Sequence, residues 1–261
     1  MQGRSRRTAT LRRLGALLAG VLAVLASAIP AAAHDVRVLA AGAVQGAVQR
    51  LELAVVDSGH KLLATYDTVG ALRERVLAGE AADVVILSEA GMAALAAAGR
   101  IDAGTLIDLG ATSVALAVRK GVEVPDVSSP DALRRTLLAA ASIAHADPAR
   151  GATAGAHFAS VLQRLGLAEQ LRDRIVVLGF GGDVIAGVAE GRFAIGASQS
   201  SEIVAHPGVV LAGRLPEPFA HHTRYRSAKV TGAGPSADAF LGLLTGPQGR
   251  AELQAIGFGP R

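Results

Sequence analysis

The chain contains no cysteine and no tryptophan, and aromatic residues make up only 3% of its 261 positions. Without cysteine there are no disulfides, so the folded domain depends on its core alone. So few aromatics leave few stacking platforms for nucleic-acid bases. Low-complexity linkers and internal repeats are also missing. So are a Gly-x-Ser-x-Gly elbow, a phosphate-binding loop ending in Gly-Lys-Ser/Thr and a Gly-x-Gly-x-x-Gly fingerprint. The 51% hydrophobic content is too high for a disordered chain.

What is present begins with a charge imbalance. Arg4, Arg6, Arg7, Arg12 and Arg13 open the chain with no acidic residue among them. An apolar run from Leu14 to Ala26 follows, then Ser27-Ala28-Ile29-Pro30-Ala31-Ala32-Ala33. This three-part layout predicts a secretory signal over residues 1–33, cleaved after Ala33, and a periplasmic mature protein. A bilayer-spanning anchor is the alternative, but Leu14 to Ile29 is short of the ~20 apolar residues that spanning takes. Ser5-Arg6-Arg7-Thr8 is too brief a match to decide between export routes. Taking five of the 26 basic residues away with the signal leaves 21 against 22 acidic ones, a formal charge of −1. No net basic balance survives to support nucleic-acid binding. The remaining 228 residues are enough for one large domain or two small lobes.

Short apolar runs alternate with amphipathic stretches along the mature chain. Strands are predicted at 36–40, 61–66, 83–87, 113–118, 142–146, 175–178, 194–197, 209–212 and 223–230. Helices are predicted at 44–56, 69–77, 89–98, 130–140, 154–165, 183–189, 236–244 and 248–256. Ser129 suits the cap of one helix and Pro130 its first turn. Such alternation, with buried strands, indicates a mainly parallel α/β sheet. The number of strands suits two sheets better than one.

Ligands in such sheets sit beyond the carboxyl ends of the strands, at helix N-termini. Four strand-to-helix turns share the required small residues: Ala40-Ala41-Gly42-Ala43, Asp67-Thr68-Val69-Gly70, Asp147 to Gly155, and Gly179-Phe180-Gly181-Gly182-Asp183. Small residues admit a ligand close to the backbone, and free N–H groups favour an anion. A glycine in one such turn is usually mere geometry; four in one chain point to a site. Thr68, Arg150 and Thr153 add side-chain donors, while Asp183 reads equally as a helix N-cap.

Val38-Leu39-Ala40-Ala41-Gly42-Ala43, Gly70-Ala71-Leu72, Ala78 to Ile86, Ala146-Asp147-Pro148, Leu162 to Gly166 and Gly246 to Phe258 together resemble the periplasmic molybdate-binding proteins and their solute-binding relatives of ABC transporters. The likeness spans nearly the whole mature chain, and Gly70 to Ile86 is its most specific part. It implies a two-lobed periplasmic-binding-protein-like α/β fold, each lobe a mainly parallel sheet flanked by helices, with two crossing strands between them. Residues 34–117 plus 223–261 would form lobe 1 and 118–222 lobe 2. An oxyanion would be held in the cleft by neutral donors. The family's first serine falls on Ala43, the second at Thr68-Val69 and its tyrosine on Gln199. Its backbone donors fall near Gly151-Ala152-Thr153, in a loop one residue longer, and near Gly181-Gly182. Ala43 and Gln199 thus change the chemistry, away from molybdate and towards a carboxylate or polar organic ligand. A divergent branch of the family is also resembled by Gly191 to Glu202.

The expected site is therefore Gly42, Ala43, Thr68, Val69, Arg150, Gly151, Ala152, Thr153, Gly181, Gly182, Asp183 and Gln199. No cofactor, catalytic residue or metal is expected. The adjacent His221 and His222 face opposite ways in a strand, and His206 stands apart. The expected function is capture of a small anion by a monomer for an ABC-transporter permease. The competing reading is an exported isomerase or lyase of small carboxylates, with His145, Asp147 and Glu202 as its candidates. Of these, His145 reads as packed, Asp147 as turn-shaping and Glu202 as exposed near a helix start.

Overall fold

The computed structural model describes residues 35–259. The expected signal at 1–33 lies outside them. The chain opens with strand β1 (Val36–Ala41), a 3-10 turn at Gly42–Val44 and helices α1 (Gln45–Arg50) and α2 (Glu52–Asp57). One helix over 44–56 was expected; it breaks at Leu51, whose N–H bonds to the carbonyl three residues back instead of four. Next come β2 (Leu62–Asp67), α3 (Val69–Leu77), β3 (Val84–Ser88) and α4 (Glu89–Ala97).

Strand β4 (Ile107–Arg119) is 13 residues long and begins well before the expected Ser113. Its first half carries Asp108 and Gly110 and is bulged between them, which hides the alternation. Helix α5 (Pro130–Ala139) is capped by the Ser129 hydroxyl, 3.2 Å from the Ala132 N–H. Then follow β5 (Ile143–Ala146), α6 (Thr153–Arg164), β6 (Ile175–Leu178), α7 (Gly181–Ala189), β7 (Ile195–Gln199) and α8 (Ser200–Ala205). The chain ends with β8 (Val209–Arg214), β9 (His222–Lys229), α9 (Pro235–Thr245) and α10 (Pro247–Ala255).

The strands run in the order β2-β1-β3-β9-β4-β7-β5-β6, with β8 also against β4. Pairing is parallel among β1, β2 and β3 and among β5, β6 and β7. It is antiparallel wherever β4 or β9 takes part. Strand β4 does the crossing: residues 107–113 pair with β9, residues 114–119 with β7 and β8. Two cores follow from this division. Val38, Leu39, Val85, Leu72, Leu95, Phe240 and Ile256 belong to the first, Leu116, Leu133, Ile143, Phe158 and Ile195 to the second. The molecule is thus two α/β lobes, each built on a parallel core sheet, with β4 running through both. Among the described residues no helix is long and apolar enough to cross a membrane.

Candidate functional site

All four strand-to-helix corners meet at one cleft. Its walls are Ala41, Gly42 and Ala43 after β1, Asp67, Thr68 and Val69 after β2, Ala146, Ala152, Thr153 and Ala154 after β5, and Phe180 and Gly181 after β6. Ser198, Gln199, Glu202 and Tyr225 complete it around a small space. Parallel strands deliver their carboxyl ends to one edge, which is why corners so distant in sequence coincide here. The first N–H groups of α3, α6 and α7 have no partner within their helices, so their positive ends border the cleft.

Of the expected site, Gly42, Ala43, Thr68, Val69, Ala152, Thr153, Gly181 and Gln199 line this space. Arg150 and Gly151 stand at its rim. Arg150 Nη2 lies 3.1 and 3.0 Å from the two Asp67 carboxylate oxygens, and its Nε donates to the Gly179 carbonyl. Gly151 is left-handed (φ 72°) and touches Gly70; its carbonyl accepts the Gly70 N–H at 3.2 Å. Thr68 Oγ1 donates to the Arg150 carbonyl and accepts from the Ala71 N–H, so its hydroxyl is already engaged. Gly182 and Asp183 turn to a separate groove that also contains Gln45, Gln49 and His206. Asp183 is not the cap of α7: Phe180 holds that position and Asp183 is the third helical residue.

The interior is a network of neutral groups. Gln199 Nε2 donates to Thr153 Oγ1 at 3.1 Å and to Thr223 Oγ1 at 3.0 Å. Its Oε1 is buried and leans towards the Glu202 N–H, as in a capping box, without reaching good hydrogen-bond geometry. The Tyr225 hydroxyl lies 3.3 Å from Thr153 Oγ1, and the ring is 1% exposed. Burial pushes the phenol's pKa up, so it stays a donor.

Glu202 differs most from expectation. Its side chain is part-buried and its carboxyl turns inward to line the cleft, where an exposed side chain was anticipated. Oε2 accepts from the Ser198 hydroxyl and from the Gln199 N–H at 3.2 Å. A side chain at Gly181 would come within 2.6 Å of Glu202 Oε1, and one at Gly42 would also collide with it. These two glycines therefore make room for the carboxyl between the corners. Burial raises its pKa above the ordinary carboxylate value, against the lowering effect of those two hydrogen bonds. No Lys or Arg lines the cleft.

The other enzyme candidates lie apart. His145 is packed edge-on against Phe158 with Nδ1 2.9 Å from the Ala146 carbonyl. Asp147 Oδ1 accepts the Ala149 N–H at 2.8 Å and shapes the turn. His221 stacks on His157 at 4.5 Å while His222 turns to Ser113. Among the described residues no three metal-ligating side chains gather.

A family model described as bacterial extracellular solute-binding protein matches residues 36–259. The chain belongs to that family. An aconitate isomerase from Pseudomonas sp is 30% identical to this solute-binding protein over 262 residues, covering 95% of this chain and 97% of the relative. Solved structures share the fold at lower identity. The periplasmic molybdate-binding protein of Azotobacter vinelandii superposes with a TM-score of 0.73 at 19% identity, over 87% of this chain and 99% of its own. The substrate-binding domain of a putative molybdenum ABC transporter from Clostridium difficile gives 0.60 at 21%, over 88% and 100%.

Proposed function

We propose that this solute-binding protein captures a small organic carboxylate between its lobes, residues 34–117 plus 223–261 and residues 118–222. It would do so in the periplasm as a monomer and pass the ligand to an ABC-transporter permease. The supporting observation is the convergence of four strand-to-helix corners on one small cleft lined by Thr153, Gln199, Tyr225 and helix N-termini, with no cation. Neutral donors and helix ends suit an anion that must later be released. The lack of a hydroxyl at Ala43, the amide of Gln199 and the carboxyl of Glu202 favour an organic acid over a fully ionised tetrahedral oxyanion. Native mass spectrometry of the exported protein would show what it carries. A thermal-shift panel of cis- and trans-aconitate, malate, malonate, sulfate and molybdate follows. A carboxylate at 100 times its Kd should stabilise the fold by about 2.7 kcal/mol. Tighter binding of molybdate or sulfate than of every carboxylate would reject the reading.

A second reading is that the cleft isomerises its ligand. Two observations favour it: the 30% identical relative over nearly the full chain is named for such an activity, and the part-buried carboxyl of Glu202 lines the cleft. A part-buried carboxyl with a raised pKa is the kind of group that moves protons on a bound acid. Proton NMR of cis-aconitate with the protein tests it. Conversion that disappears in Glu202→Gln but persists in His145→Gln would support the enzyme; no conversion by the wild type would leave the receptor.

A further inference from the structure

We propose that Glu202 takes part in recognition as an uncharged carboxylic acid, donating its proton to an oxygen of the bound anion, so that capture takes up one proton. This rests on the carboxylate reading of the preceding section and names the group that selects within it.

Geometry carries the inference. One carboxyl oxygen, Oε2, already accepts two hydrogen bonds, from Ser198 and Gln199. The other is the nearer to Gly42 and Gly181, the corners of the two lobes that border the cleft. A protonated carboxyl has one O–H to offer, and a ligand oxygen is the acceptor this arrangement calls for. An ionised Glu202 would instead set two negative charges side by side.

The surroundings offer no counter-charge. On the cleft side the other titratable groups are Asp67, whose charge is met by Arg150 at the rim, and Tyr225, a neutral phenol. On the groove side they are Asp183 and His206, and His206 Nδ1 accepts the Gly208 N–H. Helix α1 contributes Gln45 and Gln49 there. Strands β4, β7 and β8 and the 42–44 turn bring no charged side chain into either space. Burial in such a setting favours the neutral acid, in keeping with its upward shift.

Because the bound form prefers protonated Glu202, affinity is level below the free-state pKa of Glu202. Above it, affinity falls as pH rises, by up to tenfold per pH unit. The test uses the full mature chain with trans-aconitate as probe. Titration calorimetry in buffers of different ionisation heat should show close to one proton taken up on the falling limb. Glu202→Gln, which keeps the shape and offers an N–H, should bind with no slope. Infrared difference spectra of wild type against Glu202→Gln should show a protonated carboxyl in the complex. An ionised Glu202 in the complex, or an unchanged slope in Glu202→Gln, overturns the proposal. If the Gln variant does not fold, Glu202→Asp, with its carboxyl drawn back from the cleft, should lose at least tenfold in affinity, and wild-type affinity there overturns the proposal. If no carboxylate binds at all, the carboxylate reading fails separately. Infrared pH-difference spectra of the free protein then decide the state of Glu202: neutral at pH 5 upholds its assignment, ionised overturns it.

Discussion

Gly70→Ala separates the contact between the two corners from folding. Gly70 lies in the first turn of α3, on the corner after β2, and faces Arg150 and Gly151 on the corner after β5. Alanine is a better helix former than glycine by up to about 1 kcal/mol, so folding of the unliganded chain should be unharmed or slightly strengthened. The contact between the corners fares differently. The added methyl would sit 2.6 Å from the Arg150 carbonyl oxygen and 2.7 Å from Gly151 Cα, and ordinary contact begins at 3.4 Å. The corners must therefore part by about 0.8 Å, the difference between 2.6 and 3.4 Å, at a contact between rigid backbones. That breaks the Gly70 N–H bond to the Gly151 carbonyl, 3.2 Å, and stretches without breaking the Thr68 hydroxyl bond to the Arg150 carbonyl, 2.5 Å. At about 1 kcal/mol for the broken bond, this contact between the corners is weakened enough to cost some fivefold in ligand affinity. Urea denaturation without ligand and calorimetry with the best carboxylate of the panel measure the two effects apart. A variant that binds as tightly as the wild type would show that the Gly70–Gly151 contact is no part of ligand capture.

Three other outcomes follow from the same contacts. Gln199→Leu removes the donors to Thr153 and Thr223, so ligand affinity should fall at least tenfold by calorimetry, with about 1–3 kcal/mol of stability lost through the Thr223 hydroxyl left unpaired. Gly155→Ala drives a methyl into the Ala146 carbonyl in the core of the second lobe and should cost about 1–3 kcal/mol by thermal melting. Glu202 binds its proton more tightly when folded, so its contribution is full below the unfolded carboxylate pKa and is lost as pH rises through the folded one. Relative to Glu202→Gln, the wild type should therefore lose stability with rising pH across that window, read from urea midpoints.

The corners of the cleft were legible because strand-to-helix turns have their own chemistry. Gly42, Thr68, Thr153 and Gly181 occur where an apolar run gives way to helical spacing, and a parallel sheet sends such turns to one edge. Tyr225 carried no such mark. It lies within a strand of mixed pattern, and only the placement of β9 between β3 and β4 brings it beside Thr153. Glu202 was seen as a helix-start residue and judged exposed. The missing information was tertiary: the space for its carboxyl exists because Gly42 and Gly181, 139 positions apart, both lack a side chain. The break at Leu51 and the early start of β4 were hidden for local reasons, a 3-10 step in one case and a bulge at a polar pair in the other.

Receptor and isomerase ask the same cleft for different things, and Glu202 is where the demands diverge. A receptor needs a closed form that holds the ligand unchanged, and a neutral acid giving one hydrogen bond achieves that. An isomerase needs the same group to release and recover a proton while the ligand is held, which calls for a pKa near the working pH and a second group to steady the ligand's charge. Tyr225, a donor kept neutral by burial, and Thr153 stand on the cleft wall where such charge would develop. Tyr225→Phe distinguishes the two. In a receptor it should weaken binding by no more than about tenfold, the worth of one hydrogen bond. In an isomerase it should reduce kcat by a much larger factor, on the order of a hundredfold, with KM little changed, because the lost bond would strengthen only as charge appears.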